Sequence, residues 1–290
     1  MSETKFNTVD GYAMTDIDGA PLLVGPARRA KKVLQRTTVD LVRHATYAAA
    51  FHGIPAAGAA VALNLDPAAE DQSPLTAFTE EANAWARSTN FTAIALMGLE
   101  SYDTREFTHD SIAQSQELVA ASASASAGDL RGKKVAISSE WGEEALTDQL
   151  NTASDVSMSS LGEALTSGAD IVFVRGKIGI VNHEVVAETN VGKIVGLQPL
   201  TFTARGLAVA SRAGAVIVPD FISAAGPVLA ALANDADTSQ RAHHVIQQVT
   251  NALAPHVDAG TALFVRAAES AEAFMHTWTN DLPFGRPLAP

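Results

Sequence analysis

Residues 46–65, TYAAAFHGIPAAGAAVALNL, decide the fold. An apolar helix ends at His52-Gly53, Ile54-Pro55 makes a short turn, and a small-residue run then feeds an apolar strand. Glycine and alanine in such a turn let another group approach the backbone closely. Upstream, Thr37 or Thr38 supplies a hydroxyl cap for the helix. Leu41, Val42, Ala45 and Ala49 recur at helical spacing behind it. Downstream, Val61-Ala62-Leu63 reads as a buried strand closed by Asp66-Pro67. Helix, turn and strand in this order point to an α/β protein.

The same alternation continues outward. Residues 75–88 carry Phe78, Ala82 and Trp85 on one helical face, and residues 90–98 form an apolar strand ending at Gly98. The low-complexity run AASASASA at 120–127 reads as a hinge or a helix tail between domains. Residues 129–137 form a turn entering the first strand of a second α/β unit, with a compressed helix at 146–150 and a strand at 155–158. Further helices are expected at 161–165, 240–254 and 261–276. Residues 280–290 are rich in proline and expected to be loose.

Composition bounds the function. The chain has 290 residues, enough for two domains with cores. Hydrophobic residues make up 47% and charged residues 18%, as in a globular protein. A net charge of −12 argues against a nucleic-acid or anionic-membrane partner. With no cysteine there is no disulfide, no thiolate nucleophile and no cysteine-ligated metal. The opening MSETKFNTVDG lacks a basic-then-apolar signal pattern, and no apolar run approaches the roughly 18 residues of a membrane span. A soluble, cytoplasmic protein is expected.

Several stretches together resemble the glutamate/leucine/phenylalanine/valine dehydrogenases. That family carries T-[YW]-K-N-A-x-x-G-[LI]-x-x-G-G-G-K, whose two lysines bind the substrate carboxylate and activate the chemistry. Thr46, Tyr47, Ala50, Gly53, Ile54 and Gly58 keep the frame, while Ala48 and Ala60 stand in the lysine places. Residues 215–227, AVIVPDFISAAGP, resemble V-x-[VI]-P-D-x-[LI]-x-N-A-G-G, with Ala224 for the asparagine and Pro227 for the last glycine. The family's R-Y-[IV]-x-A-E-D-V-G strand, whose aspartate is the acid/base group, falls on 90–98, where its Glu-Asp becomes Ala95-Leu96. Gly25-Pro26-Ala27 matches a substrate-touching loop whose glycine pair is replaced by Arg28-Arg29.

For the cofactor, a G-x-G-x-x-[GA] turn would let backbone approach a pyrophosphate, and the chain has SSEWGEEA at 138–145 in its place. Ser139 and Trp141 hold its first two glycine places, beside three carboxylates. The family's E-x-A-N becomes Leu197-Gln198-Pro199-Leu200.

The resemblance implies a fold of two domains. Residues 1–126 would be an oligomerisation and substrate domain, 127–247 a shortened Rossmann-like domain, and 248–290 helices packing back on the first. Dehydrogenation needs a cation, a lysine of lowered pKa, a carboxylate and a bound nicotinamide. With Ala48, Ala60 and Leu96 in those places, a pseudoenzyme is expected, a regulatory or structural partner in homo-oligomers or with a dehydrogenase paralogue. No cofactor is expected, NAD(P) entering only if the degenerate loop still binds it. The alternative is a repurposed enzyme acting on a small organic or amino acid in the interdomain cleft. An active NAD(P)-dependent oxidoreductase is the third reading.

Candidate ligand contacts are Arg28, His52, Arg175 and Lys177, the last two at the C-terminal end of a parallel strand where open α/β sheets bind ligands. Each has a bland reading beside it: a solvated loop for Arg28-Arg29, a packed or capping histidine for His52. Glu100, Asp103, Glu106 and Asp110, around Arg105 and His109, read as a solvated helix start. His243-His244 lack a carboxylate at matching spacing, so no metal is expected. No nucleophile-elbow motif occurs.

Overall fold

A computed structural model describes residues 1–99, 115–138, 146–147, 149–233 and 240–290. The first sheet holds β1 (Ser2–Lys5), β2 (Gly11–Thr15), β3 (Leu23–Ala30), β4 (Ala57–Asn64) and β5 (Phe91–Met97) in the order β1-β2-β4-β3-β5. β3 runs parallel to β4 and β5, and β2 pairs antiparallel with β1 and β4. Helix α1 (Gln35–Phe51) lies on one face, where Val42 packs with Tyr12, Met14, Ala60 and Ala62. Side chains alternate across a strand, so Ala13, Val61 and Leu63 turn to the opposite face and join a larger core containing Phe78 of α2 (Ser73–Thr89).

Gly58 explains the small-residue run. A Cβ there would lie 1.6 Å from the Val42 carbonyl oxygen, so α1 rests directly on the backbone of β4. Thr46 fastens the contact: its hydroxyl accepts from the Gly58 N–H at 2.8 Å and donates to Asp16 Oδ2 at 2.7 Å. These are frame positions that the sequence retains.

The second sheet is all parallel: β6 (Lys134–Ser138), β7 (Asp155–Met158), β8 (Ile171–Val174), β9 (Lys193–Gly196) and β10 (Val216–Val218), in the order β10-β9-β8-β6-β7. Continuous apolar runs such as IVFV in β8 are what parallel strands covered on both faces require. Among its helices are α3 (Ser115–Ala127), α4 (Leu161–Leu165), α5 (Ala204–Arg212), α6 (Asp220–Ser223), α7 (Gly226–Leu232), α8 (Arg241–Leu253) and α9 (Leu263–Met275). Ser160 and Glu163 form a reciprocal capping box on α4, and Thr203 caps α5.

The AASASASA run is buried helix. Ser124 and Ser126 donate back to the carbonyls of Ala121 and Ala123, and Ser122 donates to the Ser223 carbonyl at 2.7 Å. Small side chains permit this approach, since a Cβ on Gly226 would lie 2.0 Å from the Leu118 carbonyl oxygen. Helix α9 packs against α1.

Three expectations are corrected. Helix α1 begins at Gln35 without a side-chain cap, and Thr38 lies inside it, accepting from the Arg28 guanidinium. Arg28 and Arg29 lie within β3 rather than in a solvated loop; Arg29 is buried and donates to the Asp66 carbonyl and Gln72. The 280–290 segment is anchored rather than loose. Arg286 grips Glu272 with two hydrogen bonds of 2.9 and 3.1 Å, and Ala289 pairs with Phe202 and Thr203. No helix among the described residues is long and apolar enough to cross a membrane.

Candidate functional site

A cleft of about 730 Å³ opens between the two sheets. The first sheet contributes Pro26 of β3 and Ile94, Ala95, Leu96 and Met97 of β5; α1 contributes Leu41, His44 and Ala45. The second sheet closes it with the segments after β8 (Arg175–Ile178) and after β9 (Gln198, Pro199). Both segments leave C-terminal strand ends, the place where open parallel sheets present ligand sites.

Of the residues singled out in the sequence, the fold brings Arg175 and Lys177 into this cleft. Arg175 is half-buried, and burial pushes its guanidinium down to about 10; Lys177 is exposed. Arg28 turns instead to Thr38, its Nη1 donating to the hydroxyl at 2.7 Å, and does not line the cleft. His52 sits at the far end of α1, where it caps the helix. Its Nδ1 donates to the Ala48 carbonyl at 2.7 Å, the ring stands edge-on to Phe51, and burial lowers its pKa to about 4. For His52 the geometry is that of the packed, capping reading.

Leu96 forms cleft wall, whereas Ala48 and Ala60 are fully buried in the core. Leu200 is buried against Leu41 and Ala289, and Leu197 and Ala224 are buried as well. These positions offer no polar side-chain atom to a dinucleotide. Ser139, Trp141 and the acidic run from Glu100 to Asp110 lie outside the described residues. Among the described residues no cluster of His, Asp and Glu is arranged to hold a metal ion.

Sequence reasoning missed His44 and Asp220. His44 lies on the cleft side of α1, and its Nε2 faces Asp220 Oδ1 at 3.6 Å. Among the described residues neither atom has a hydrogen-bond partner, and the two side chains are 3% and 1% exposed. The other oxygen, Oδ2, accepts from the Thr201 N–H at 2.7 Å. Burial pushes both groups toward neutrality, His44 down to about 4 and Asp220 up to about 7, with backbone N–H groups opposing the rise at Asp220. The close approach is therefore not a full ion pair at neutral pH, since desolvating two charges there outweighs their attraction. No local signal marks His44, because its partner arrives from the other half of the chain.

No protein-family model matches this sequence, and no curated protein sequence does. Solved structures do. L-tryptophan dehydrogenase from Nostoc punctiforme superposes with a TM-score of 0.70 at 16% identity, covering 95% of each chain. The leucine-bound hetero-hexameric glutamate dehydrogenase from Thermus thermophilus gives 0.68 at 14% identity, covering 94% of this chain and 86% of its own. Glutamate dehydrogenase 2 of Plasmodium falciparum gives 0.65 at 11% identity, covering 92% and 81%. A mixed sheet and an all-parallel sheet, joined over nearly the full length in this order, give the chain the fold of the amino-acid dehydrogenases.

Proposed function

We propose that this chain keeps the dehydrogenase scaffold without NAD-dependent dehydrogenation and acts as a regulatory or structural partner, in homo-oligomers or with a dehydrogenase paralogue. The observation that carries the reading is the pair Ala48 and Ala60. Both stand where the resemblance puts catalytic lysines, and both are fully buried in the core around α1 and β4. Leu96, in the place of the acid/base aspartate, is apolar cleft wall. Alanine and leucine carry no titratable proton, while the frame residues Thr46 and Gly58 still hold α1 to β4. Retained frame with inert contents is what a partner subunit needs. The Thermus thermophilus hetero-hexamer supports assembly of unlike chains on this fold. Affinity-tagged chain should recover an active amino-acid dehydrogenase from its own cells; recovery of the chain alone would count against hetero-assembly.

A second reading, a repurposed enzyme of the cleft, is favoured by the buried His44–Asp220 pair beside Arg175 and Lys177. Thermal-shift screening against a metabolite pool separates the two. A strong hit weakened by Arg175→Ala favours the enzyme, and no hit favours the partner.

A further inference from the structure

A second pocket, of about 340 Å³, opens where β9 and β10 begin, at the opposite edge of the second sheet from the cleft. Lys193 of β9 and Val216 of β10 line it, with Leu253 from the end of α8 and Leu263 from the start of α9. Val257, between those helices, lines it with 81% of its surface exposed. In sequence, residues 100–114, 139–145 and 234–239 adjoin the other ends of α3, β6 and α8. Lys193 Nζ donates to the Ala127 carbonyl at 2.6 Å, an acceptor left over at the end of α3. Among the described residues it makes no ion pair, and an ammonium has three N–H donors. Asp170 is engaged elsewhere, by Lys133 at 3.7 Å and by the Lys134 N–H at 2.9 Å. Gly128 leaves the ammonium uncovered, since a Cβ there would meet only Lys193 Nζ, at 3.8 Å. Burial and the Lys133 charge both pull the Lys193 pKa down, as befits a cation short of counter-charge.

We propose that this pocket is a ligand site for a small monocarboxylate with a compact apolar body, the carboxylate on Lys193 Nζ and the body against Val216, Leu253, Val257 and Leu263. The half-buried ammonium has lost water on folding, and an anion restores hydrogen bonds and offsets the charge together. One cation suits one negative charge. A phosphate dianion would bring a second, and Lys133, the neighbouring cation, is already paired with Asp170. The apolar body removes from water the side chains that the pocket now exposes, Val257 above all. A volume of about 340 Å³ is at the small end for ligand pockets, which favours a single ring or short chain over a long acyl tail. The site is separate from the cleft, and the inference does not depend on whether dehydrogenation has been lost. A bound ligand ties β9 to the connection between α8 and α9. His256 of that connection also lines the pocket, and its ring lies 5.5 Å from the Phe51 ring at the end of α1.

The test titrates the full chain calorimetrically with 4-phenylbutanoate, 4-phenylbutan-1-ol and 4-phenylbutylamine at fixed ionic strength. These probes share a skeleton and differ in the polar end. 4-Phenylbutanoate should bind roughly tenfold more tightly than the alcohol, with the amine weakest. Lys193→Met keeps the apolar stem and removes the charge, so it should erase the preference for the carboxylate over the alcohol. Thr250→Phe, at an exposed position of α8 that lines the pocket, should weaken both by filling the space. Circular dichroism confirms that each variant is folded. Hydrogen exchange on the parent supplies a reading independent of any variant: 4-phenylbutanoate should slow exchange at the amides of Val257–Gly260. The proposal is overturned by an alcohol that binds as tightly as the carboxylate, or by carboxylate binding that neither variant changes. Exchange at Val257–Gly260 that ignores the ligand, or no binding of 4-phenylbutanoate at millimolar concentration, overturns it equally.

Discussion

His44 Nε2 on α1 and Asp220 Oδ1 at the start of α6 face each other 3.6 Å apart, joining the two halves of the molecule beside the cleft. Asp220 does two jobs there: Oδ2 accepts from the Thr201 N–H, and Oδ1 meets the imidazole. Asp220→Asn keeps an acceptor for Thr201 and should cost less than about 1 kcal/mol at pH 7, where the carboxyl is at mid-titration. Asp220→Ala leaves a buried N–H unsatisfied and should cost about 2–3 kcal/mol. Urea denaturation of both variants checks the ordering, and equal losses would refute it.

Asp16 gives a pH dependence of definite sign. Burial raises its pKa to about 6, against the Thr46 hydrogen bond and the Arg43 charge, which lower it. The folded form therefore holds its proton where the unfolded form has released it. Stability from this group is full below about pH 4 and falls as pH rises through about 6. His44 and His52, both lowered to about 4, act in the opposite direction, losing stability as pH falls from 6.5 toward 4. The whole-protein profile mixes these, so the variant isolates the carboxyl: Asp16→Asn should gain on the parent progressively from pH 4 to pH 7. Denaturant midpoints at several pH values measure it, and a constant difference would count against the assignment.

The closing segment ties both halves together. The Tyr47 hydroxyl donates to Glu272 Oε1 at 2.9 Å, Arg286 takes the same carboxylate, and Ala289 N donates to the Phe202 carbonyl at 2.8 Å. Arg286→Ala should destabilise by about 1 kcal/mol, the pair being partly exposed. It should also speed amide exchange at Ala289 and leave the strands of the first sheet unchanged. Hydrogen exchange read residue by residue would expose a tail that moves independently of Glu272.

Gly58 should tolerate nothing larger. A Cβ at 1.6 Å from the Val42 oxygen forces α1 off β4, so Gly58→Ala should cost several kcal/mol, on the order of 3 or more. Gly162 in α4 has open space around it, and Gly162→Ala should be neutral or stabilise slightly. Comparing their urea midpoints separates steric exclusion from a general intolerance of glycine replacement.

How far the sequence carried depends on whether the signal was local. The helix–turn–strand at 46–65 was legible because helical spacing, glycine and a small-residue strand sit side by side. The parallel strands were legible as apolar runs such as IVFV. Arg28-Arg29 misled because an arginine pair beside Gly-Pro reads as surface, whereas β3 is flanked on both sides and binds both guanidinium groups internally. The two histidines at α1 differ in legibility for the same reason. His52 stands beside the conspicuous glycine, while His44 becomes a cleft residue only when Asp220 folds against it. The 280–290 segment looked loose because its anchors, Glu272 and Phe202, are not its immediate neighbours.

The central claim is that a dehydrogenase fold here lacks dehydrogenase chemistry. One measurement bears on it most directly: titration of the full chain with NADH and NADPH, with amino-acid oxidation assayed on the same preparation. The account predicts no saturable binding and no coenzyme-dependent turnover of any amino acid. Saturable NAD(P)H binding together with turnover of even one amino acid would contradict it.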